Sequence, residues 1–174
     1  MKITCNVDEL TKQLEALTQD TQQRMENMAR KFSYGVASSA VDFTPLGDSE
    51  KFASLYQMRQ QIWGLQPVEG YARGSWQVSL DGTLDRQELY GISSGDTALG
   101  AVNTHLLNYK LGEDILIGNP AEYIGSLEGI GGIPSSKQAP QGIMAPATDR
   151  IMNIYAIKLD DYYNSGKNWS GGWQ

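Results

Sequence analysis

Phe43-Thr44-Pro45-Leu46-Gly47-Asp48 and Pro67-Val68-Glu69-Gly70-Tyr71-Ala72-Arg73-Gly74-Ser75-Trp76 bracket the stretch in which this chain changes its hydrophobic period. After it, Trp76, Val78 and Leu80 alternate with Gln77, Ser79 and Asp81, which predicts a half-buried strand over about 72–80. Asp81-Gly82 then signals a turn. Between the brackets, residues 46–66 mix Phe52, Leu55, Tyr56, Ile62 and Trp63 with polar residues and read as an excursion that leaves and rejoins the sheet.

Upstream the period is helical. From about Val7 to Val41 the apolar residues Leu10, Leu14, Leu17, Met25, Met28, Phe32 and Val36 fall on one stripe. Asn6 or Asp8 suits the N-cap, and Asp8 and Glu9 favour the positive end of the helix dipole. Gln13, Gln19, Gln22, Gln23 and Glu26 line the other face. A helix this long covers a core with a solvated back, or projects beyond the domain, or packs along a neighbouring subunit. Gly35, Ala37, Ser38, Ser39 and Ala40 allow close packing near its end, and Pro45 stops it. Residues 1–6 read as a short extended lead-in.

Downstream a short return strand is expected around 88–92. Ser94 or Asp96 then caps a second helix carrying Leu99, Val102, Leu106 and Leu107. Ile115-Leu116-Ile117 predicts a strand, and Pro120 a short helix through Tyr123, Ile124 and Leu127. Residues 129–142 are loop by composition. A last helix is expected from Pro146 or Ala147, with Ile151, Ile154, Ile157 or Lys158, and Tyr162 along it. Without regular strand–helix alternation this order predicts an α+β fold: a long N-terminal helix (7–41) and a small antiparallel or mixed sheet packed with further helices. One domain over 1–163 and a docking or flexible tail over 164–174 complete the expectation.

Composition narrows the function. A net charge of −6 argues against a dedicated nucleic-acid binder, which needs clustered Lys and Arg to neutralise phosphates. One cysteine, Cys5, excludes an intrachain disulfide framework and suits a reducing compartment. No apolar run approaches a membrane span, and the expectation is a chain made in the cytoplasm. Catalytic patterns are missing. His105 is the only histidine, and no metal-ligand cluster, Gly-x-Ser-x-Gly or Walker sequence accompanies it. Glu113/Asp114 and Asp160/Asp161 imitate a carboxylate dyad but read as solvated pairs. No cofactor is expected. Arg73 and Trp76, three residues apart, are candidates for a stacked pair or a subunit anchor.

Residues Pro67 to Ser79 resemble the Pro-x-Asp-(Thr)-Gly-x-Ala-Arg-Gly-Asn-Trp segment of the tail-completion or neck proteins of tailed bacteriophages. Ile117-Gly118-Asn119-Pro120-Ala121-Glu122-Tyr123-Ile124 with Leu127-Glu128-Gly129 is similar to that family's strand and Leu-Glu-Tyr-Gly turn. Ser136-Lys137-Gln138-Ala139-Pro140-Gln141-Gly142-Ile143-Met144 resembles its Ser-x-Gln-Ala-Pro-x-Gly-Met loop. The order agrees over residues 43–160. The family's Thr-Pro pair is split here between Thr44-Pro45 and Gln66-Pro67, and Ile130-Gly131-Gly132-Ile133 interrupts the later loop.

The resemblance implies a virion structural protein without catalysis: a homo-oligomeric ring at the head–tail neck, contacting portal or connector and tail proteins, with DNA passing nearby unbound. Subunit contacts are then expected from the first helix, loop 129–142 and the tail, with Arg73, Trp76, Lys137, Gln138, Trp169 and Trp173 as the interface candidates. A small phage hydrolase using Glu113, Asp114 or Glu122, or an adaptor for a host protein, is the alternative.

Overall fold

The computed structural model describes residues 7–46, 70–85, 95–121, 124–130 and 137–165, with side chains through 156 and at 158. The lead-in 1–6, most of the excursion 46–66, the return strand 88–92, Glu122, the side chains of Asp160 and Asp161, and Trp169 and Trp173 lie outside the described residues.

Among the described residues seven elements follow in order: α1 (Val7–Phe43), α2 (Tyr71–Gly74), β1 (Gln77–Ser79), α3 (Asp96–Leu107), β2 (Leu116–Gly118), α4 (Ile124–Glu128) and α5 (Met144–Ser165). The strands pair antiparallel, with Val78 opposite Ile117. The fold is α+β, mostly helical around a two-stranded sheet.

The 37-residue α1 divides into two unlike parts. Its C-terminal third is core: Val36, Ala37, Ala40 and Val41 are buried. The small residues there let α5 approach closely, and a Cβ on Gly35 would stand 3.0 Å from Ile151 Cδ1. The N-terminal half is exposed on every face, and Leu10, Leu14 and Leu17 stand in solvent at 48%, 56% and 62%. The core-covering reading therefore holds for the C-terminal part of the helix, and the N-terminal half projects beyond the body.

One cluster gathers Ala40, Val41, Ala72, Trp76, Leu127, Ile143 and Ala147, and a second gathers Ala37, Val78, Val102 and Leu106. Each fully buried Leu, Ile or Val there contributes about 1.5–3 kcal/mol by leaving water. Several elements differ from the sequence expectation. The strand expected over 72–80 begins at Gln77, because Gly70 enters a left-handed conformation (φ 76°) and starts a helical turn closed by Gly74 N–H to Gly70 O at 2.8 Å. The start of α3 is capped by Gly95 (φ 76°) rather than by Asp96, which is the first helical residue. The buried line of α5 runs through Ala147, Ile151 and half-buried Tyr155, while Ile154 is exposed at 40%. In the same way Leu107 is exposed at 62%, so α3 presents Ala98, Val102 and Leu106 inward.

Residues 119–121 hold no helix, although Pro120 predicted one. Asn119 turns the chain instead, accepting Ala121 N–H at 3.0 Å, and the helix starts at Ile124.

The Asp81-Gly82 turn forms as expected, with Gly82 at φ 81°. Asp81 Oδ1 accepts Ser79 Oγ–H (2.6 Å), Thr83 N–H (3.0 Å) and Thr83 Oγ1–H (2.7 Å). The Ser79 and then the Thr83 hydrogen bonds lower its pKa from 3.8 to about 2. A depressed carboxylate contributes stability above the unfolded value, and that contribution fades as pH falls from about 4 towards 2. Exchange of the Thr83 amide should accelerate through that window, and the step should vanish in Asp81→Asn.

Candidate assembly site

Arg73 and Trp76 meet at Thr44. The Arg73 guanidinium donates from Nε (2.9 Å) and Nη2 (2.8 Å) to the Thr44 carbonyl, just past the C-terminus of α1. That carbonyl belongs to the helix end that has no intrahelical donor, so the fork acts as a charged C-cap. The Trp76 indole N–H donates to Thr44 Oγ1 at 2.7 Å, and Thr44 Oγ1–H donates onward to Ala40 O at 2.6 Å. Trp76 is 2% exposed. Both residues thus lock α1 to α2 within one chain, and Trp76 is enclosed by its own core.

The three motif segments of the phage resemblance bond to one another. Asn119 Nδ2 donates to Ala72 O at 2.6 Å, tying the second segment to the first. Glu128 accepts Ile143 N–H (3.0 Å) and Met144 N–H (3.1 Å), tying it to the third. A carboxylate on the first amides of α5 complements the helix dipole and satisfies orphan donors. Glu128→Ala should lower thermal stability by about 1–2 kcal/mol, with Glu128→Gln recovering part of it. Lys137 and Gln138 precede this cap on the exposed side of the turn.

Away from this framework lies the arm. From Val7 to Met28, Leu10, Leu14, Leu17, Met25 and Met28 are all exposed. Where the arm enters the body, a groove of about 320 Å³ is lined by Met25, Met28, Phe32, Leu111 and Tyr155. Phe32 and Tyr155 meet edge to face with centroids 5.3 Å apart. Burial raises the Tyr155 phenol above 10, so it stays neutral at physiological pH. The rim is rigid. Arg30 Nη2 donates to Tyr109 O at 2.7 Å and pairs with Glu26 at 3.3 Å, while Glu26 accepts Leu111 N–H at 3.2 Å. No sequence motif marks this groove, because Leu111 and Tyr155 come from distant segments.

Chemistry-bearing residues are sparse by comparison. Among the described residues no three His, Cys, Asp or Glu side chains group as metal ligands. None of the described helices is long and apolar enough to cross a membrane. An open cleft of about 350 Å³ beside β1 and α3 is lined by Ser79, Asp81, Asp85 and His105 among others. Asp81 there is engaged by its own turn. Glu113 closes a turn by accepting Lys110 N–H at 2.7 Å, and Asp114 is exposed beside it. No known protein family, curated protein or solved structure matches this chain.

Proposed function

We propose that the chain is a non-catalytic structural protein of the head–tail interface of a tailed bacteriophage, a neck or tail-completion subunit that works as a homo-oligomeric ring. The observation that carries this reading is the arm: some five turns of helix leave the body with leucines in water. Exposed apolar stripes of this length are covered by other chains. The sequence resemblance over residues 43–160 names the assembly, and the bonding of its three segments to one another is in keeping with a shared scaffold. On this reading portal or connector and tail proteins stack on the ring. The chain's net charge of −6 suits a lumen through which DNA slides without sticking.

The test is genetic. In phage lacking this chain, filled heads and finished tails should accumulate unjoined, and supplying the chain in trans should join them. Normal joining without it would refute the proposal. A hydrolytic activity lost in Glu113→Ala or Asp114→Ala would favour an enzyme instead.

A further inference from the structure

We infer that the α1 stripe is covered by a second copy of the chain lying antiparallel, so that each arm fills the groove at the base of the other. The inference stands on the stripe and does not rest on the head–tail reading. Leu10, Leu14, Leu17, Thr21, Met25, Met28 and Phe32 are separated by steps of 4, 3, 4, 4, 3 and 4, which read the same in both directions about Thr21. A two-fold axis at Thr21 therefore sets Leu10 opposite Phe32, Leu14 opposite Met28 and Leu17 opposite Met25 of the other copy. The small leucines of the arm meet the wide groove residues at every layer. The overlap from residue 10 to residue 32 is about 33 Å long.

The flanks agree with this pairing. At 100° per residue, Gln13, Asp20, Arg24 and Lys31 border one side of the stripe, and Thr11, Thr18, Gln22 and Ala29 the other. Two-fold pairing keeps like sides together and reverses their order. Asp20 of each copy then lies level with both Asp20 and Arg24 of the other, and Lys31 beside Gln13. Asp20 and Arg24 already pair within the helix at 2.8 Å, so the dyad brings together two ion pairs of no net charge. The Asp8, Glu9, Lys12 and Glu15 charges lie at the outer ends or back of the arm, away from this seam. Thr11, Thr18 and Thr21 donate their hydroxyls to the carbonyls of Val7, Leu14 and Leu17 at 2.9, 2.8 and 2.8 Å. Covering the seam therefore strands none of these donors.

A pair related by such an axis uses the same patch twice and stops at two. A ring with different partners on its two faces has no such axis, so on the head–tail reading this is the form the chain takes off the particle, and the arms part before the ring closes.

The test uses the full chain with Cys5→Ser. Sedimentation in the micromolar range should give twice the chain mass of 19.2 kDa, and Leu14→Asp with Leu17→Asp should give the single mass with unchanged circular dichroism of the body. Under mild oxidation, a mixture of Leu14→Cys and Met28→Cys chains should cross-link, and neither alone should. A chain carrying both cysteines should stop at covalent dimers. The inference is overturned by a monomeric parent chain, by a dimer that survives the two aspartates, by self-cross-linking of Leu14→Cys alone (parallel arms), or by a polymer ladder from the double variant (one-way exchange).

Discussion

Replacing Trp76 by alanine is expected to destabilise the fold by about 3–5 kcal/mol, the largest effect of any single substitution proposed. Trp76 is 2% exposed and packs in the cluster with Ala40, Val41, Leu127 and Ile143, so its loss leaves a void in that cluster. The indole also satisfies Thr44, whose hydroxyl sits at 0% exposure and would keep only its bond to Ala40. Trp76→Phe separates the two effects. It keeps most of the volume and removes the N–H, and should cost about 1–2 kcal/mol. Denaturant unfolding of both variants checks the ratio. If Trp76→Ala cost no more than Trp76→Phe, the packing role would be wrong.

Gly95→Ala is expected to cost about 2–4 kcal/mol, from two sources that an experiment can separate. The backbone there has φ 76°, a left-handed conformation that penalises any Cβ. The new Cβ would also stand 2.4 Å from Val41 Cγ1, in the middle of the seam between α1 and α3. Combining Gly95→Ala with Val41→Ala removes the clash and leaves the backbone strain. The double variant should therefore be more stable than the sum of the two single losses, by about 1 kcal/mol or more. Strict additivity would place the whole cost in the backbone.

The class of fold was legible in the sequence because its signals are local. The α1 stripe, the Asp81-Gly82 turn and the Pro45 stop each act within a few residues, and each is present. What the sequence hid depends on long-range partners. The turn at 71–74, started by Gly70, also carries Arg73 back to Thr44, a contact across 29 positions. Ile154 and Ile151 are equally apolar, and only the place where α5 meets α1 decides that Ile151 turns inward.

The candidate site was legible in part. Leu10, Leu14 and Leu17 were visible as one helical stripe. Their exposure was not, since burial depends on where the body ends. Arg73 and Trp76 were singled out as a stacked pair or a subunit anchor, and the structure instead has each of them bond Thr44, inside the chain. Lys137 and Gln138 stand exposed in the segment that precedes the Glu128 cap. The groove was invisible in the sequence, because Leu111 and Tyr155 join Met25, Met28 and Phe32 only after folding.

The proposed role is that of an assembly subunit whose exposed arm contacts other proteins at a head–tail junction. Electron microscopy of the assembled particle tests it most directly. The account predicts a ring coaxial with the tail, built of copies of this chain, with α1 of each subunit covered by its neighbours. A junction containing no copy of the chain, or a ring in which Leu10, Leu14 and Leu17 still face solvent, would contradict it.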